Sequence, residues 1–147
     1  MYLERTGDLF TCSADAIGHG CNCQGRMDAG IATMFKEKYP AMFEEYKSRC
    51  VSGDFKPGDV FFYRSSVSQL PHVVNMATQK DLVGASLDNI ESCCEKILDN
   101  YVSWDIRRLA LPCIGAGLGG LDWEDVREVL QDFFRYSDLE VIIYHKP

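Results

Sequence analysis

The stretch Leu111-Pro112-Cys113-Ile114-Gly115-Ala116-Gly117-Leu118-Gly119-Gly120 constrains the fold more than any other part of the chain. An apolar run that reads as a strand, Leu109 to Leu111, leads into it. An amphipathic run that reads as a helix, Trp123 to Phe134, leads out. Between Gly115 and Gly120 only Leu118 carries a side chain larger than a methyl group. A strand–loop–helix junction this bare offers unpaired N–H groups at a helix start, where the dipole favours an anion. The pattern is that of a turn built to hold a phosphate-bearing ligand.

A second junction has the same form. Ala16-Ile17-Gly18 reads as a strand, the segment from His19 to Gly30 as a loop, and Ile31 opens a helix. Two such turns suit a ligand with two phosphates, gripped from both sides at the C-terminal ends of strands in an open sheet. Neither matches G-x-x-x-x-G-K-[ST].

Short apolar runs alternate with helical periodicity along the remainder, which predicts a layered α/β domain. Strands are expected at Tyr2–Arg5, Ala16–Gly18, Val60–Tyr63, His72–Met76, Arg108–Leu111 and Glu140–Tyr144. Ile31, Met34, Phe35 and Lys38 begin a helix that Pro40 should end. Met42, Phe43 and Tyr46 suggest a second, short helix ending near Cys50. Leu87, Ile90, Cys94, Ile97, Leu98 and Tyr101 recur at helical spacing behind a Ser86 cap. Trp123, Val126, Val129, Leu130 and Phe133 do so behind Asp122. With 147 residues, no internal repeat and no linker, residues 1–147 read as one domain.

Charge and cysteine usage exclude several classes. A net charge of −7 argues against broad nucleic-acid binding, which calls for a basic face. The seven cysteines include no C-x-x-C pair and the chain has only three histidines, so no metal site is expected. They read as reduced, mostly buried thiols of a cytoplasmic protein. Met1-Tyr2-Leu3-Glu4-Arg5 lacks a signal-peptide pattern, and no apolar run reaches the roughly 20 residues of a membrane span.

Taken in order, Gly7-Asp8-Leu9-Phe10, the segment Asn22 to Ala32, Val73-Val74-Asn75, Pro112 to Gly120 with Asp122-Trp123, and Val141-Ile142-Ile143-Tyr144 resemble the macrodomain family, which binds ADP-ribose. The resemblance is to its small branch: terminal ADP-ribose protein glycohydrolase, macrodomain antitoxins that reverse DNA ADP-ribosylation, and yeast-type ADP-ribose 1″-phosphate phosphatase. It implies a three-layer α/β/α sandwich with a mixed, mostly parallel sheet of about six strands, and no cofactor. By the same resemblance Asp8 would accept a hydrogen bond from the adenine amine, with Leu9 beside the ring. Asn22 would lie near the distal ribose. Gly25, Met27, Ala29, Gly30, Ile31 and Ala32 would wrap one side of the ligand. Cys113, Ile114, Gly115, Ala116, Gly117, Leu118 and Gly119 would wrap the other, with Tyr144 lining the adenine side.

The catalytic machinery is harder to carry over. Where the glycohydrolase branch has a nucleophilic lysine after the threonine, this chain has Gln79 after Thr78, and Lys80 follows. The branch's second-loop aspartate is matched by Gly119. The candidates are therefore Asn22, Lys80, Asp28 as a general base and His19 as a proton-transfer group. Each has a structural alternative: an Asx-turn for Asn22, a solvated loop lysine, a turn aspartate and a buried strand histidine. Asp8 could equally cap a turn. The implied activity is hydrolysis of the anomeric substituent of ADP-ribose. That substituent is phosphate or a linkage to an ADP-ribosylated protein or nucleic acid. The alternative is a reader that binds ADP-ribose without turnover.

Overall fold

A computed structural model describes residues 1–147. Six strands form a single sheet: β1 (Tyr2–Thr6), β2 (Ala16–Cys21), β3 (Val60–Tyr63), β4 (His72–Ala77), β5 (Arg108–Leu111) and β6 (Glu140–His145). Their spatial order is β1-β6-β5-β2-β4-β3, parallel except for β3 against β4. Four helices connect them: α1 (Ile31–Lys38), α2 (Pro40–Ser52), α3 (Leu87–Trp104) and α4 (Trp123–Phe134). No helix is long and apolar enough to cross a membrane.

Alternation along the strands sorts side chains to two faces. Ala16, Val74, Leu109, Leu111, Val141 and Ile143 pack with Ile90, Ile97, Val126 and Leu130 of α3 and α4. Ile17, Val73, Ala77 and Ala110 pack with Phe35, Met42 and Tyr46 of α1 and α2. The helix pairs therefore cover opposite faces, giving the three layers expected.

The expected elements are all present, with informative differences at their ends. β2 continues three residues past Gly18, because His19, Gly20 and Cys21 pair with Asn75, Met76 and Ala77 of β4. A glycine and no apolar run made that segment read as loop, and pairing with a neighbour overrides the local signal. Pro40 ends α1 but also opens α2 as its first residue, where its missing N–H costs nothing. α2 runs on to Ser52, closed by Gly53 in the left-handed region. Ser86 Oγ accepts from Asn89 N at 3.1 Å, and Asp122 Oδ1 from Glu124 N at 3.0 Å, so both anticipated caps form.

Candidate functional site

The ends of β2, β4, β5 and β6 open onto one cleft of about 750 Å³ along the crest of the sheet. Open parallel sheets place their ligand sites there, beyond the carboxyl ends of the strands. One wall is the first loop and the start of α1: Asn22, Met27, Asp28, Ala29, Gly30, Ile31 and Ala32. The other is the second loop: Cys113, Ile114, Gly115, Gly117, Leu118 and Gly119. Tyr144 lines the cleft at the end of β6.

The loops come together over the cleft. A methyl group on Gly30 would touch Leu118 Cδ1 at 3.4 Å, and Leu118 is itself 73% exposed at the rim. Gly30 has a φ of +62°, which lets the chain enter α1 without a side chain intruding on the cleft. Gly119 is held by closeness alone: a Cβ there would stand 2.6 Å from the Gly115 carbonyl oxygen. That carbonyl accepts Leu121 N at 2.8 Å, and Gly119 O accepts Ala85 N at 2.9 Å, so the loop is pinned from both ends. No aspartate fits at Gly119 in this conformation.

The sequence candidates divide. Asp28 is the sole carboxylate lining the cleft. Arg26 Nε donates to its Oδ2 at 2.9 Å and Lys36 Nζ lies 3.7 Å from Oδ1. The hydrogen bond from Arg26, with the charges of Arg26 and Lys36, holds the carboxyl below its usual range. Asn22 reaches the cleft, with Oδ1 and one of the two Nδ2 hydrogens bonded into the loop. Oδ1 accepts from Gln24 N at 3.0 Å and Arg26 N at 3.4 Å, and Nδ2 donates to Arg26 O at 2.8 Å. The Tyr46 hydroxyl, 2.9 Å from both its side-chain and main-chain oxygens, anchors the turn to α2. The Asx-turn alternative is the one formed.

His19 does not line the cleft, which corrects its expected role in proton transfer. It is fully buried inside β2, 2.8 Å from Asn75 Oδ1 through Nε2 and stacked on Phe35 at 3.8 Å between centroids. Burial pushes its pKa down to about 4, so it is neutral and sealed from a ligand. Lys80 is likewise outside the cleft and solvent-exposed; its main-chain carbonyl accepts Cys23 N at 3.2 Å. Gln79 occupies the cleft wall in its stead.

Among the expected binding residues, Gly25 packs toward Lys47 and Cys50 of α2, away from the cleft. Leu9 is buried beneath the surface, and Ala116 does not contribute to the cleft wall. Asp8 caps a short 3-10 turn, Leu9–Thr11, accepting Phe10 N through Oδ1 at 2.9 Å and leaving Oδ2 uncommitted. Asp8 does not line the cleft itself; it follows Gly7, where a Cβ would meet the ring of Tyr144, a cleft residue, at 3.4 Å.

Thr78, Gln79, Leu82, His145 and Lys146 also line the cleft and were not anticipated; Arg26 joins them from within the first-loop run. The signal for His145 lay in register: Thr6 pairs with it, so β6 extends one residue beyond Tyr144. Arg26 and Lys146 give the walls an excess of cationic groups over the single carboxylate, in a molecule that is acidic as a whole. No group of three or more His, Cys, Asp or Glu side chains converges to hold a metal ion, and all seven cysteines are unpaired.

The family profile described as Macro domain matches residues 19–130. A DNA ADP-ribosyl glycohydrolase of Mycobacterium tuberculosis is 34% identical over 98% of this chain, which spans 42% of that relative's length. An ADP-ribose 1″-phosphate phosphatase of Candida albicans is 27% identical over 86% of the chain and 90% of its own length. The solved macrodomain of M. tuberculosis DarG superposes with a TM-score of 0.92 at 33% identity, over 98% of this chain and 97% of that one.

Proposed function

This chain belongs to the macrodomain family, and from that premise we propose that it binds ADP-ribose and hydrolyses the bond to its anomeric substituent. The observation that carries the reading is the cleft itself. The nearly bare main chain of the Gly115–Gly119 loop faces the first loop and the start of α1 across a volume within the ~300–1,000 Å³ of small-molecule sites. Main-chain N–H groups at the start of α1 and in the Cys113–Gly119 loop would cradle the diphosphate. Asp8 Oδ2 would accept from the adenine amine, which can only donate. Arg26 and Lys146 add the charge an anionic ligand requires.

Asp28 is assigned the general-base role because no other carboxylate lines the cleft. Held ionised by Arg26 and Lys36, it would orient a water against the anomeric carbon and take its proton. Loop amides would stabilise charge developing on the leaving group. A lysine adduct has no support: Lys80 stands outside and Gln79 faces the site.

A second reading, a reader without turnover, is favoured by one observation, the absence of room for an acidic side chain at Gly119. One experiment separates the two. The protein is incubated with ADP-ribose 1″-phosphate and, separately, with ADP-ribosylated DNA and ADP-ribosylated protein. Release of ADP-ribose from any of them supports the hydrolase. Tight binding to all with no release supports the reader, and no binding of ADP-ribose by calorimetry defeats both.

A further inference from the structure

At the mouth of the second loop, three side chains form a relay that the reading above does not use. Cys113 Sγ lies 3.4 Å from His145 Nδ1, and His145 Nε2 lies 2.6 Å from Glu4 Oε1. Glu4 is fixed in turn by Arg127 at 2.7 Å and by the Tyr2 hydroxyl at 3.1 Å, and Trp123 packs edge-on against the imidazole. Burial opposes its ionisation, but the hydrogen bonds from Arg127, His145 and Tyr2 outweigh this and keep Glu4 charged. A carboxylate on Nε2 fixes the tautomer: Nε2–H donates to Glu4, and the Nδ1 lone pair faces the thiol. Cys113 and His145 both line the cleft.

We propose that Cys113 is a modification site, a thiol activated by the His145–Glu4 pair, whose oxidation by a hydroperoxide blocks the cleft. Burial and the Glu4 charge raise the thiol above its ordinary value, so it rests protonated and needs a base to react. His145 Nδ1 takes the proton as sulfur attacks the outer peroxide oxygen. The O–O bond breaks, sulfur is oxidised by two electrons to the sulfenic acid, and the departing hydroxide or alkoxide recovers the proton from His145 as water or alcohol. The added oxygen then stands at the entrance to the Cys113–Gly119 loop, where the diphosphate would lie; this last consequence rests on the function proposed above.

The other part-exposed thiols, Cys12, Cys23 and Cys50, make no contact with a histidine; Cys21 does, at 3.5 Å from His19, but is buried. They serve as internal references. Ligand-free protein is pulsed with iodoacetamide, and with hydrogen peroxide plus a sulfenic-acid trap, and each cysteine is quantified by peptide mass spectrometry. Cys113 is expected to react first, and His145→Gln to slow it by about tenfold or more while leaving Cys12 and Cys50 unchanged. Glu4→Gln should slow it as well. Cys113 reacting no faster than Cys12 and Cys50 in the wild-type chain overturns the proposal without recourse to any variant. Saturating ADP-ribose should protect Cys113. If calorimetry shows binding and Cys113 still reacts at its free rate, the blocking role is wrong. If ADP-ribose does not bind at all, the proposed function has failed while the thiol ranking still decides the site.

Discussion

His19 is enclosed on every side, and that enclosure tolerates only the neutral imidazole. Its folded-state pKa of about 4 stands below the ordinary 6.5. Between those values the unfolded chain binds a proton that the folded chain refuses, so stability falls as pH drops from 6.5 towards 4 and is not lost further by this residue below that. A shift of this size is worth roughly 3 kcal/mol. Urea titrations at pH 4.5, 5.5 and 7 should show the slope in the wild-type chain and a flatter one in His19→Gln. An unchanged slope would assign the acid sensitivity elsewhere. Asp28 has the opposite character: exposed, ion-paired, with its pKa lowered from 3.8. If it is the base, the acid limb of kcat/KM lies below the usual carboxylate range. Asp28→Asn should then cut turnover by about a hundredfold or more at similar ADP-ribose affinity. A matching collapse of affinity would show that Asp28 binds rather than catalyses.

The second loop works as one element because its carbonyls are committed inward. Gly119→Ala forces a methyl group to within 2.6 Å of the Gly115 oxygen, so the loop must open. We expect a loss of about 1–3 kcal/mol, read as a fall in ADP-ribose affinity by calorimetry with the far-ultraviolet spectrum retained. Asp122→Ala removes the cap of α4 and should cost about 1 kcal/mol, lowering Tm by about 3 °C for a domain of this size. The helices were legible in the chain because their apolar stripes and caps are local signals. β2 was legible only in part: Ala16-Ile17-Gly18 shows in the sequence, whereas His19-Gly20-Cys21 is made strand by β4, a partner over fifty residues away. The short turn at Leu9 was legible only as an alternative, its one local mark being an aspartate that could cap or recognise.

At the scale of the molecule, the two loops were readable as walls because glycine content marks close approach, and their opposition followed from strands that end on one crest. What could not be read was which side chains within those walls turn inward. Asn22 and His19 sit in matching positions along the chain and Lys80 one place beyond, yet the first is bonded into a turn, the second is sealed in the sheet and the third faces water. His145 and Lys146 enter the cleft because β6 lies between β1 and β5, a placement no local pattern announces. A chain stopped after residue 138 lacks that strand and should show no cooperative melting transition by circular dichroism, since β1 would lose its one sheet neighbour and β5 the pairing on one flank.

Because the strand inserted between β1 and β5 is the last of the six to be synthesised, a nascent polypeptide stays unfinished in both its sheet and its cleft until that segment clears the ribosome. An interrupted translation product would therefore present raw edges to proteases and chaperones.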